Sequence, residues 1–238
     1  MTQCGPKAPE VDKVAQLETV PQFGASSLLM ARFLVIVLTA AMPILAQWRP
    51  LLNGKDLSGW EVIHDGLWHV TRDGVLVGQR DQAKKNTTSP NQSWLYTKSD
   101  YGEYDLHLEY WLRYRDNSGI SIRDSTRARY AGGVDADPKR TPSHNGYEIQ
   151  IINGHTDKYP TGSLYLFQQA KTGAQRDFDW NEMDVEVRNG MIRVKVNGVL
   201  VMEHQGDPQR PKTGAIGLQL HDANTVVMFR NVRIREVR

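Results

Sequence analysis

Past Leu51 the chain carries no long amphipathic helical pattern. Apolar residues instead recur at alternate positions in short runs, each closed by glycine, asparagine or aspartate. A period of two sends successive side chains to opposite faces of a strand, so this patterning requires an all-β fold. The runs predict strands at Trp60 to His64, Trp68 to Thr71, Val75 to Gly78, Trp94 to Tyr96, Tyr104 to Tyr114, Gly119 to Arg123, Tyr147 to Ile151, Ser163 to Phe167, Met183 to Arg188, Met191 to Val196, Val199 to His204, Ala215 to His221 and Thr225 to Glu236. Turn chemistry marks three connections: Arg72-Asp73-Gly74, Arg188-Asn189-Gly190-Met191, and Asn197-Gly198, where asparagine and glycine tolerate positive φ. So many short strands are best covered by pairing two sheets, so the expected architecture is a two-sheet antiparallel jelly-roll sandwich.

Within Tyr104 to Arg113 the core face is Leu106, Leu108, Tyr110 and Leu112, which leaves Trp111 on the polar parity. Three other segments alternate differently. Asn117-Ser118-Gly119-Ile120-Ser121-Ile122-Arg123-Asp124, Asn145 to Asn153 and Ile216 to Asp222 intersperse apolar residues with polar ones that solvation alone does not call for. Parity gathers Asn117, Ser121 and Arg123, then Glu148 and Gln150, then Gln219 and His221, as a polar sheet face suited to a small polar ligand. The irregular stretch from Ser125 to Asn145, with Gly132, Gly133, Pro138 and Pro142, is expected to form a rim over that face, as are Gln79 to Ser93 and Gln168 to Trp180.

Among 238 residues, 24% are charged and the formal net charge is +2, which suits one globular domain. The densest basic run, Arg123 to Arg129, gives no extended positive stripe, so no nucleic-acid partner is expected. Cys4 is the only cysteine, so no intrachain disulfide can form. Residues 1–29 lack periodicity and read as an extension upstream of the true start. Residues 30–46, Met30-Ala-Arg followed by the apolar run to Ala46, read as a signal peptide, with the domain occupying 47–238. The apolar run from Phe33 is shorter than the roughly 20 residues that span a bilayer. The expectation is a secreted or periplasmic protein cleaved after Ala46, with no stable membrane insertion afterwards.

Seven motifs, in order, resemble the 3-keto-disaccharide hydrolase family. They are Leu51-Leu52-Asn53-Gly54-Lys55-Asp56-Leu57-Ser58-Gly59-Trp60; Asn117-Ser118-Gly119-Ile120 with Arg123; Tyr147-Glu148-Ile149-Gln150-Ile151; Thr161-Gly162-Ser163-Leu164-Tyr165; Trp180-Asn181; Val196-Asn197-Gly198; and Gly217-Leu218-Gln219 with Phe229-Arg230-Asn231-Val232-Arg233-Ile234. The resemblance implies a concanavalin-like jelly roll and a hydrolase acting on a sugar or glycoside already oxidised at carbon 3. It also implies an upstream oxidoreductase to supply that ketone, and it leaves room for a divalent metal ion at the enediolate. The chain has no dinucleotide-binding glycine motif with which to make the ketone itself.

A carbon-3 ketone acidifies the carbon-2 proton, so cleavage needs one base, one acid for the leaving group and a group facing the enediolate charge. Glu148 is the expected base or metal ligand, Arg123 the electrostatic stabiliser and His221 the acid. Asn117, Ser121, Gln150 and Gln219 are expected to hydrogen-bond sugar hydroxyls, with Trp111 stacking on a ring. Glu148, His155, Asp157 and His221 are the residues that could converge on a metal. A conventional glycosidase would need a second carboxylate, and Asp124 and Asp222 both have the wrong parity. The alternative is a non-catalytic carbohydrate-binding sandwich.

Overall fold

The computed structural model describes residues 46–81, 83, 91–154 and 158–237. Both the signal segment, apart from Ala46, and the metal candidates His155 and Asp157 fall outside these residues. In chain order the elements are β1 (Arg49–Pro50), β2 (Trp60–Ile63), β3 (Gly66–Val70), β4 (Leu76–Arg80), β5 (Ser93–Thr97), β6 (Tyr104–Leu112) and β7 (Asn117–Asp124). They continue with α1 (Pro142–Asn145), β8 (Tyr147–Ile152), β9 (Asn181–Arg188), β10 (Met191–Val196), β11 (Val199–Gln205), β12 (Ala215–Leu220) and β13 (Val226–Glu236). One sheet of 8 strands runs β11-β10-β9-β6-β13-β4-β3, with β1 added alongside β13; the second, of 5 strands, runs β2-β5-β12-β7-β8.

The two sheets bury their apolar parities against each other in one cluster. Leu106, Leu108, Tyr110, Val185, Val194, Phe229 and Ile234 come from the larger sheet, and Leu95, Ile120, Ile122, Ile149, Ile151, Ile216 and Leu218 from the smaller. Each such side chain contributes about 1.5–3 kcal/mol on burial. Two hairpin turns take the conformation their sequence demands: Asn189 and Gly190 lie at φ 50° and 77°, and Asn197 and Gly198 at 49° and 79°.

Ser163 to Phe167 does not form the expected strand. Leu164 makes only isolated bridges to Ile149 and Gln168, because the chain reverses within the segment through Leu166 at φ 72°. The predicted rim from Ser125 to Asn145 holds the single turn of α1. β1 has two residues, too few to display any period.

Two register shifts matter more than these boundaries. In β13, Arg230 and Arg233 face Glu109 and His107, so an extra residue moves core parity from Val227 and Phe229 to Val232 and Ile234. In β7, Ser121 faces Gly217 whereas Asp124 faces Ala215, which inserts one residue at Ile122 and Arg123.

Candidate functional site

The outward face of the five-stranded sheet is assembled by register. Ser121 pairs with Glu148 on one side and with Gly217 on the other. One row further, Gly119 pairs with Gln150, and Gln219 pairs with Trp94. At the end of the face, Asn117 pairs with Ile152, and the His221 amide donates to the Asn117 carbonyl at 3.3 Å. Glycine forms the floor of the middle row. A Cβ at Gly119 would stand 3.1 Å from Gln219 Oε1 and 3.2 Å from Glu148 Oε1.

Glu148 is 3% exposed, and its Oε1 accepts a hydrogen bond from Gln219 Nε2 at 2.9 Å. Burial lifts its carboxyl to about 7, against the opposing pull of His221 and Gln219. His221 is half-buried, with Nδ1 2.9 Å from Asp222 Oδ1. Burial works against its charged form, yet the Asp222 and Glu148 carboxylates outweigh this and raise its pKa. With Nδ1–H donating to Asp222, proton exchange falls to Nε2. Gln219 Oε1 and Asn117 Oδ1 are buried acceptors with no donor among the described residues. A ligand that brings hydroxyl donors would satisfy both. Gln150 is buried in the same row, its backbone anchored by Ser163 and Gly162.

Two expected members stand elsewhere. Arg123 has φ 59° in the β7 bulge, which turns it off the Ser121 parity, and it lines a cavity with Glu103, Asn189 and Lys212 instead. Trp111 does occupy the outward parity, but of β6 in the other sheet, opposite Met228; alternation reveals the face of a strand and not which sheet contains it. Trp180, another ring considered for stacking, lies 4.1 Å from the Arg230 guanidinium, in contact with that same larger sheet.

The same bulge brings Asp124 onto the face, where parity had excluded it. Its carboxylate accepts from Tyr96 Oη at 2.9 Å, Ala128 N at 2.8 Å, and Thr126 N and Oγ1 at 2.9 and 2.7 Å. With these donors it clamps the start of the rim, whose Ala128 and Ala131 pack on Trp94 and Tyr96. Its lone pairs are therefore engaged in holding the rim rather than available as a glycosidase's second carboxylate. Tyr96 could have been placed on the face from the Trp94 to Tyr96 alternation. Arg80 gave no such signal. It is 3% exposed and braces the end of β12 through Asp65 Oδ2 at 2.8 Å, the Asn91 carbonyl at 2.6 Å and the His221 carbonyl at 3.5 Å.

Among the described residues no three His, Cys, Asp or Glu side chains converge as a metal site. Glu148 and His221 do not by themselves make a ligand set.

A family described as 3-keto-alpha-glucoside-1,2-lyase-like domain matches residues 47–235. Two solved structures of proposed glycosyl hydrolases from Parabacteroides distasonis superpose with TM-scores of 0.62 and 0.62 at 24% and 22% identity, covering 80% and 81% of this chain and 100% and 95% of theirs. A Bacillus subtilis protein of unknown function with a galectin-like fold superposes with a TM-score of 0.56 at 16% identity, covering 80% of this chain and 94% of its own. These likenesses establish the sandwich fold. No curated protein sequence matches the chain.

Proposed function

We propose, from the premise that the chain belongs to the 3-keto-alpha-glucoside-1,2-lyase-like domain family, that it is an exported carbohydrate-active enzyme cleaving 3-keto-glycosides or 3-keto-disaccharides by elimination and rehydration. The observation that carries this reading is one carboxyl, Glu148, lifted by burial to about 7 among sugar-compatible amides, with no second carboxylate free on its face among the described residues. Such a group can act as a base at neutral pH, and the ketone makes a single base sufficient.

Glu148 takes the carbon-2 proton, and the C–H electron pair becomes the carbon-2 to carbon-3 double bond of an enediolate. Re-formation of the ketone shifts that pair to carbons 1 and 2 and breaks the bond from carbon 1 to the leaving oxygen, which takes a proton from His221 Nε2. Water then adds across carbons 1 and 2, its hydroxyl to carbon 1 and its proton to carbon 2, so the sum is hydrolysis. Gln150, Gln219, Asn117 and Ser121 hold the sugar hydroxyls. The carbon-3 ketone must be supplied by an oxidoreductase acting earlier.

Incubating the protein with a 3-keto-glucoside and with its unoxidised parent in deuterated water separates the readings. Aglycone release from the keto sugar alone, with carbon-2 exchange that Glu148→Gln lowers by about a thousandfold, is the expected result. Sugar binding without release from either substrate would instead assign a non-catalytic carbohydrate-binding sandwich.

A further inference from the structure

Arg123 presents a problem that the carbohydrate face does not solve. It is 2% exposed, its Nε is sealed without an acceptor, and it joins no salt bridge among the described residues, whereas Arg113 and Arg127 are both paired. A guanidinium taken from water without a counter-charge is strongly disfavoured, so such groups are retained where something answers them. Tyr104, fully buried, likewise leaves its hydroxyl without a partner. The two lie within electrostatic reach: burial raises the Tyr104 pKa and Arg123 opposes the rise.

The geometry is built rather than incidental. The β7 bulge holds Arg123 at φ 59°, a conformation unfavourable for a residue with a Cβ. Two glycines admit the bulge. A Cβ at Gly214 would come within 2.5 Å of the Arg123 carbonyl carbon, and one at Gly146 within 2.7 Å of the same atom. The side chain is thereby delivered to a cavity of about 470 Å3 lined also by Glu103, Asn189, Gly190, Gln205 and Lys212. Glu103 also lines the cavity, but its Oε1 accepts from the Asn189 amide at 2.8 Å, and among the described residues no ion pair joins its carboxylate to Arg123. Lys212 adds a second positive charge at the mouth.

We propose that this cavity is an oxyanion-binding site, separate from the carbohydrate face and independent of the reaction assigned to it. Arg123 is its buried donor and Lys212 its outer cation, and its ligand is a molecule presenting a carboxylate, sulfate or phosphate group.

Thermal unfolding of the full chain at constant ionic strength, with chloride replaced in turn by sulfate, phosphate and acetate, tests the site, with titration calorimetry giving Kd. At least one anion should give a saturable binding isotherm and raise Tm with the logarithm of its concentration, by on the order of 5 °C at a hundred times Kd. Preference for sulfate and phosphate assigns a tetrahedral ligand, and preference for acetate a carboxylate. The rise should vanish in Arg123→Met and need about tenfold more anion in Lys212→Ala. No saturable binding isotherm, or an equal Tm rise in Arg123→Met, overturns the proposal. Should Arg123→Met fail to fold, unchanged anion affinity in Lys212→Ala overturns it equally.

Discussion

Glu148 and His221 are tuned in ways that fix a pH profile. The base must be ionised and burial holds the Glu148 carboxyl at about 7, while the acid must be protonated and Asp222 and Glu148 hold His221 above its usual value despite burial. Initial rates on a 3-keto-glucoside should therefore rise as Glu148 ionises through pH about 7 and be lost once His221 deprotonates. A rising limb at the ordinary carboxylate value would remove Glu148 from the role of base. Stability should move the opposite way. The native state keeps a Glu148 proton that the unfolded chain has released between pH 4.5 and about 7, so stability declines across that window, by up to about 3 kcal/mol. Glu148→Gln is free of this loss, and its Tm relative to the unmodified chain should climb as unfolding is followed upward through the same window. At this scale the sequence was partly legible: alternation puts Ser121 with Asn117, Glu148 with Gln150, and Gln219 with His221, and they share one face because β12, β7 and β8 are neighbours in one sheet. The lifted carboxyl was not, because it depends on how much protein surrounds Glu148.

The β7 bulge exchanges the fates of two neighbours, Arg123 and Asp124. Strict alternation put Arg123 with Ser121 and excluded Asp124; one inserted residue inverts both, since each slip of one residue swaps faces. Nothing in Ile122-Arg123-Asp124 announces the insertion, which exists only as a register between β7 and β12. Asp124 consequently becomes the peg of the rim, through acceptors for Tyr96, Thr126 and Ala128. Asp124→Ala would strand these donors in a buried setting, and about 3 kcal/mol of stability should be lost, lowering Tm by about 10 °C in a melting experiment. An unchanged Tm would mean that the rim is held by something else. Ser163 to Phe167 fails as a strand for a related reason: its apolar pattern matches one, but pairing partners decide whether a pattern is used.

For the molecule as a whole, β1 begins at Arg49 and is anchored to β13 through Ile234 and Arg233, so every described strand lies downstream of Ala46. Among the described residues no helix is long and apolar enough to cross a membrane. Mass spectrometry of the protein expressed with its full N-terminus in a secreting host should find a mature chain starting at Gln47; a chain retaining residues upstream of Phe33 would contradict cleavage. The sequence by itself determined the all-β class, nearly every strand and its core parity, the turns and the polar parity of each strand, because these follow from a two-residue period and from backbone preferences local to each segment. Tertiary structure alone decided that Trp111 belongs to the other sheet, that Asp124 and not Arg123 joins Glu148, and that Arg123 is buried beside Tyr104. Those outcomes depend on inter-strand register and on sheet membership, which arise between segments distant in the chain and leave no trace within any one of them.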